Sequence, residues 1–247
     1  MEYRIPVPGG RLAARQVGSG PPVVLVHGGT SNAAVDWEPI LGSLTERFTV
    51  VLYDQRGHGR STGFAYGIGM DRFGFDLLHV MRYFGLTSAG LVGFSVGGNS
   101  LLKLLVRRPD IARALVTIGS ATYGEPDRVR KIMDGPWPDA LTMLEHDEAE
   151  DPDHWRRIRA ALASDWASNL DISPGQAARV TCPALICHGD GDRVQTLEQA
   201  LALARALPCA QLLVVPGAGH MAQVDRPDIV GPVVADFLAT ALTRPRP

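Results

Sequence analysis

The chain has 247 residues, 45% of them hydrophobic and 20% charged, which supplies one large buried core and predicts a globular rather than a disordered chain. Its formal net charge of −2, with no concentrated Lys/Arg run, gives no general attraction to phosphate backbones or anionic lipid. Neither nucleic acid nor a membrane is therefore expected as a partner.

The opening residues, MEYRIPVPGGRLAARQ, hold no apolar leader, and no later stretch approaches the roughly 18 consecutive apolar residues of a membrane span. A cytoplasmic location is the resulting expectation. Tyr3–Val7 and Arg11–Val17 flank the turn-forming Pro8-Gly9-Gly10 and predict an antiparallel hairpin at a sheet edge. Beyond it, apolar runs at Val23–Val26, Thr49–Tyr53, Gly90–Gly93, Ala114–Ile118, Ala184–Cys187 and Gln211–Val215 alternate with helical apolar spacing. The helical segments are Trp37–Phe48, Met70–Phe84, Asn99–Arg107, Leu197–Leu207 and Ile229–Leu242. Strands so continuous in Val, Leu and Ile are buried on both faces, so the alternation predicts an α/β fold with a mostly parallel, doubly wound sheet.

Between about Ala121 and Val180 the alternation breaks, and the chain turns acidic, Trp-bearing and proline-punctuated, including Glu145–Asp153. Helical patterns at Arg128–Met133 and His154–Leu162 predict a small helical cap over the carboxyl edge of the sheet, where such sheets bind ligands. The predicted organisation is a core of residues 1–120 and 181–247 with a cap insertion at 121–180. Cys182, Cys187 and Cys209 are expected to be small buried hydrophobes in a reducing compartment.

The sharpest chemical signal is Gly93-Phe94-Ser95-Val96-Gly97, which follows a strand and precedes a helix expected to begin near Gly98. A serine there sits on a strained strand-to-helix turn, and glycines two residues to either side remove side chains that would clash with neighbouring elements. A serine hydroxyl is a weak nucleophile until an imidazole accepts its proton. His220, in Gly217-Ala218-Gly219-His220, follows the last strand and is the candidate base. His79, His146 and His154 lie in helical or cap segments, His188 ends a strand, and His58 reads as a loop-packing residue.

A carboxylate must hold the imidazole in its productive tautomer. Asp190 and Asp192 in His188-Gly189-Asp190-Gly191-Asp192 both qualify, and spacing does not separate them. Amide donors for an oxyanion are expected from Val96, which follows the serine, and from the loop His27-Gly28-Gly29-Thr30, where Gly29 is the first candidate and Gly28 and Thr30 are alternatives. Asp54 and Arg56, in Asp54–Ser61, are expected to bond loop backbone nearby. No HExxH, paired Cys/His spacing or phosphate-cradling GxxxxGK is present, so no metal or other cofactor is implied.

These segments together resemble the α/β-hydrolase superfamily, in its branch of small esterases, enol-lactonases, perhydrolase-like enzymes and C–C bond hydrolases. The resemblance is carried by HGG at His27–Gly29, DQRGHGRS at Asp54–Ser61, GFSVGG at Gly93–Gly98, HGDGD at His188–Asp192 and GAGH at Gly217–His220. It implies Asp192 as the acid, since the family's acid closes a GxxD tetrapeptide, and it implies a serine hydrolase acting on an ester, lactone or thioester of a small molecule. The alternatives are C–C bond hydrolysis or perhydrolysis by the same residues, or ligand binding without catalysis on the same scaffold. A monomer or homodimer fits either reading. Trp37, Phe64, Tyr66, Phe94, Trp137 and Trp155 are pocket-wall candidates by position, although core or cap packing is the commoner fate of such residues.

Overall fold

The computed structural model describes residues 1–124, 127, 131 and 153–243. The apolar runs form a single mixed sheet of strands β1 (Glu2–Val7), β2 (Gly10–Val17), β3 (Pro22–Val26), β4 (Thr49–Tyr53), β5 (Ala89–Phe94), β6 (Ala112–Ile118), β7 (Ala184–Gly189) and β8 (Ala210–Val215). Their spatial order is β1-β2-β4-β3-β5-β6-β7-β8. The β1–β2 hairpin joins β4 antiparallel, and every pairing from β4 to β8 is parallel.

Side chains alternate across each central strand, so β3 sends Val24 and Val26 to one face and Val23 and Leu25 to the other. The first face is covered by α2 (Met70–Tyr83) and α3 (Val96–Arg107), through Leu77, Val80, Leu101 and Leu105. The second is covered by α1 (Ala33–Thr45) and α8 (Pro227–Thr243), through Trp37, Ile40, Leu44, Val234 and Leu238. Burial on both sides is why β5 is apolar throughout and β7 is apolar over Ala184–Cys187, whereas β8, at the edge, leaves Val214 exposed. Further α-helices among the described residues include α4 (His154–Asn169), α5 (Pro174–Ala177), α6 (Leu197–Ala206) and α7 (Ala222–Asp225).

Several boundaries differ from the sequence expectation, each for a local reason. Helix α1 starts four residues before Trp37 because the Asn32 side chain accepts the Val35 N–H and caps it, and the helix ends before Phe48. Helix α3 starts at Val96 rather than near Gly98, immediately after the turn at Ser95. Helix α4 runs on to Asn169, past the expected end at Leu162. Cys182 and Cys187 are buried, which pushes both thiols up to about 12, but Cys209 is exposed, contrary to expectation. Residues 128–130, 132 and 133 of the first cap pattern, 145–152 of the acidic run, and Trp137 lie outside the described residues.

Helix α4 lies across the start of α2. Its Asp165 accepts the Met70 N–H at 2.7 Å, and Ile158, Leu162, Trp166 and Leu170 form an apolar cluster with Met70, Phe73 and Val96. Phe64 and Trp155 pack at the margin of this cluster, Trp37 is core, and Tyr66 is exposed. Among the described residues no helix is long and apolar enough to cross a membrane.

The Asp54–Ser61 loop folds inward. Asp54 accepts the Ala33 and Arg60 amides, each at 3.0 Å. Arg56, fully buried, donates to both oxygens of Asp76 at 2.8 and 2.7 Å and to the carbonyls of Pro8 and Gly63. Removing one partner of such a pair strands the other charge in a low-dielectric interior. Urea unfolding of Arg56→Met is therefore expected to show a loss of about 3–5 kcal/mol, part of which Arg56→Met/Asp76→Leu regains.

Candidate active site

Strands β3 and β5 are parallel neighbours with Val26 opposite Gly93, and the chain order reverses between them, so the loops leaving their carboxyl ends face one crevice. Strands β7 and β8 are likewise paired, with Gly189 opposite Val215. The loops after β3, β5, β7 and β8, which carry four of the five motifs, thus emerge along one edge of the sheet.

Ser95 turns the chain from β5 into α3 at φ 50° and ψ −120°, and it is the one non-glycine at positive φ among the described residues. The turn requires close backbone packing. A Cβ on Gly93 would lie 2.6 Å from the Gly98 backbone, and one on Gly97 would lie 2.3 Å from the Val26 carbonyl oxygen. The Ser95 amide donates to the Ile118 carbonyl at 2.8 Å, its carbonyl accepts the Asn99 amide at 2.9 Å, and the Ser120 hydroxyl lies 3.1 Å from that same carbonyl.

The structure brings Ser95, His220 and Asp192 into one chain of contacts. His220 Nε2 is 3.0 Å from Ser95 Oγ, and His220 Nδ1 is 2.9 Å from Asp192 Oδ2. Because a carboxylate only accepts, the proton on Nδ1 is fixed there and Nε2 is left facing the serine hydroxyl. The ring also leans on Phe94, with centroids 5.0 Å apart. Asp192 is wholly enclosed, and its Oδ1 accepts the Val194 and Gln195 amides at 2.7 and 3.0 Å. Burial alone would raise this carboxyl, but the hydrogen bond and charge of His220, with the two amides, hold it below the usual carboxylate range.

The structure separates the two aspartates that spacing could not. Asp190 is exposed, and its Oδ1 accepts the Gly217 amide at 2.9 Å, so it fastens the loop that carries His220 rather than touching the imidazole. His188 is buried with its Nδ1 3.9 Å from Asp192 Oδ2, beyond hydrogen-bond range, and burial pushes it toward the neutral form.

The β3 loop is equally specific. A Cβ on Gly29 would stand 2.9 Å from Val96 Cγ2 and 2.8 Å from Leu162 Cδ1, so this glycine lies against both the start of α3 and helix α4. The Gly28 amide is already committed to Asp36 Oδ2 at 2.7 Å, which removes it from the list of free donors, while the Gly29 and Val96 amides have no hydrogen-bond partner among the described residues. Asp36 Oδ2 also accepts the Ser31 hydroxyl at 2.7 Å. His27 accepts the Gln55 amide on Nε2 at 2.7 Å, so its Nδ1 carries the proton and donates to the Gly28 carbonyl at 2.6 Å. Burial, with His58 nearby, keeps His27 neutral. His58, the expected loop-packing residue, sets Nε2 2.8 Å from the Gly29 carbonyl and Nδ1 2.9 Å from that of Arg56.

Asp36 and Ser120 escape a reading of the sequence, since a lone acid in a helix's first turn reads as a dipole partner, and His27 is legible there only as part of the HGG motif, without its bonds to Gln55 and Gly28. Among the described residues no group of three or more His, Cys, Asp or Glu side chains is placed to hold a metal.

A doubly wound sheet with a serine on a strained turn, an imidazole at its hydroxyl and a carboxylate behind it defines a hydrolase class, and the chain belongs to the alpha/beta hydrolase family, which it matches over residues 23–231. It is 28% identical to the 2-(acetamidomethylene)succinate hydrolase of Mesorhizobium japonicum, across 92% of this chain and 91% of that one. Its fold is similar to that of the 2-hydroxy-6-oxo-6-phenylhexa-2,4-dienoate hydrolase from Rhodococcus sp. strain RHA1, with a TM-score of 0.82 and 26% identity over 97% of this chain and 98% of that one. The enol-lactonase from Burkholderia xenovorans LB400 is also similar, with a TM-score of 0.74 and 25% identity over 96% and 100% of the two chains.

Asp36 also makes a prediction about stability. Burial, opposed by its bonds to Gly28 and Ser31 and by His220, raises its carboxyl from 3.8 to about 7. Folding therefore takes up a proton between those values, and stability from this group is full below pH 4 and lost as pH rises toward 7. Asp36→Asn cannot titrate, so its stability relative to the wild type should rise by roughly 4 kcal/mol between pH 4 and pH 8 in urea unfolding.

Proposed function

We propose that the protein hydrolyses a carboxylic ester, lactone or thioester of a small molecule through an acyl-enzyme on Ser95. The observation that carries this reading is the continuous contact chain from Ser95 Oγ through His220 to Asp192 at the strained turn. In the proposed cycle Ser95 Oγ attacks the carbonyl carbon while His220 Nε2 takes its proton, and Asp192 stabilises the imidazolium. The charge on the former carbonyl oxygen is met by the amides of Val96 and Gly29, each worth about 3–4 kcal/mol of barrier. Collapse expels the leaving group, which takes the proton from His220. Water, deprotonated by the same imidazole, then attacks the acyl carbon, and collapse releases the acid as the imidazolium returns the proton to Ser95 Oγ. No cofactor enters this sequence.

Residues 121–180 are assigned in this reading as the cap that shapes the acyl side of the site. The support is the contact of α4 with Val96 and Gly29 through Leu162. A second reading, C–C bond hydrolysis by the same residues, is favoured by the likeness to the Rhodococcus dienoate hydrolase. Product analysis with a vinylogous diketone carboxylate against p-nitrophenyl esters and lactones decides between the two.

Treatment with a fluorophosphonate should place the adduct on Ser95, located by peptide mass spectrometry, and Ser95→Ala should abolish it. Labelling elsewhere in the wild type, or none, would refute the mechanism. The two aspartates provide a sharper contrast in steady-state kinetics. Asp192→Asn leaves an amide where the imidazole needs an acceptor with charge, and kcat should fall on the order of 10⁴-fold. Asp190→Asn retains an oxygen for the Gly217 amide, and kcat should stay within about threefold of wild type.

A further inference from the structure

Two glycines in succession give the His27–Thr30 loop little conformational preference of its own, so the Gly29 amide depends on side chains that hold the neighbouring peptide groups. Both peptide groups of Gly28 are held. Its carbonyl accepts from His27 Nδ1 at 2.6 Å, and its amide donates to Asp36 Oδ2 at 2.7 Å. Asp36 stands on the first turn of α1 with no exposed surface, and the same oxygen takes the Ser31 hydroxyl, which follows the loop. Its other oxygen, Oδ1, has no partner among the described residues. A buried carboxyl that takes both of its hydrogen bonds on one oxygen and leaves the other bare is a costly residue for the first turn of a helix, and an apolar side chain would spare that cost.

We propose that Asp36 is a positioning residue for the reaction: by holding the Gly28 amide and the Ser31 hydroxyl on one buried oxygen, it fixes the loop so that the Gly29 amide faces the reacting carbonyl oxygen. The proposal rests on the serine-hydrolase reading above. Asp36 touches no substrate atom in it. Its influence passes through the His27–Gly28 peptide plane, which adjoins the Gly28–Gly29 plane that carries the donor and whose carbonyl His27 Nδ1 holds, and a small misplacement of a donor is enough to lose much of its effect on the transition state.

The test compares wild type, Asp36→Asn, Asp36→Ala and Ser31→Ala on p-nitrophenyl acetate, with a trifluoromethyl ketone as a probe that places an oxyanion at the same position. Asp36→Ala should lower kcat about 10- to 100-fold with KM changed less than about threefold, and should weaken the ketone by the factor lost in kcat. Asp36→Asn keeps an acceptor oxygen for both donors and should restore kcat to within about threefold. An Asp36→Ala enzyme with wild-type kcat, a loss confined to KM, or an Asp36→Asn enzyme as slow as Asp36→Ala would overturn the proposal. If Asp36→Ala does not fold, Ser31→Ala carries the test, with an expected loss of about three- to tenfold in kcat, and no loss there overturns the proposal equally. Wild-type labelling by fluorophosphonate separates the two levels of inference. A wild type unlabelled at Ser95 sinks the hydrolase reading and this proposal with it, whereas a labelled, active wild type with an indifferent Asp36 sinks the proposal alone.

Discussion

A residue with a Cβ at φ 50° costs energy wherever it occurs, and the arrangement around Ser95 exists because the surrounding packing leaves the chain no other course. The β5 strand is hydrogen-bonded on both sides, α3 is pressed against it, and Gly93 and Gly97 allow backbone contacts that any side chain would block. The consequence is geometric. The hydroxyl is lifted clear of the sheet edge at the place where the loop from β3 and the loop from β8 converge, so that an imidazole and free amides can reach it from different directions.

The aspartates of this chain show how environment, rather than residue type, assigns a task. Asp76 is buried but pairs with a guanidinium at both oxygens, and Asp190 is wet and ties down a loop. Asp192 is enclosed yet held below the usual carboxylate range by His220 and two amides, while Asp36 is enclosed with two neutral donors and is raised to about 7. The difference between the last two is the number and charge of the hydrogens aimed at each carboxyl.

Much of this was legible from residues alone. The central strands announced themselves because burial on both faces demands unbroken apolar runs, and the hairpin because Pro8-Gly9-Gly10 can do little other than turn. Ser95 and His220 were readable because steric demands at a tight turn and a flexible loop impose glycine at fixed offsets. Asp192 was separable from Asp190 only through resemblance, since two aspartates two residues apart have the same reach until it is known which oxygen meets which amide. Helix starts were misjudged where the decisive interaction belongs to a cap: Asn32 sets α1, and apolar spacing carries no record of it. Asp36 was invisible for a related reason. Its partners are backbone groups of another loop, and such a bond leaves no pattern along the sequence.

The contact between Ser95 and His220 spans 125 positions of the chain, and that between Asp192 and His220 spans 28. As the polypeptide leaves the ribosome, the turn at Ser95 is made before β6, β7 and β8 exist, while the imidazole of His220 arrives only after β8. Contacts so distant in sequence wait on loop closure and on assembly of the far side of the sheet. A nascent chain that has not yet reached β8 therefore displays the serine without the imidazole that stands against it in the folded protein.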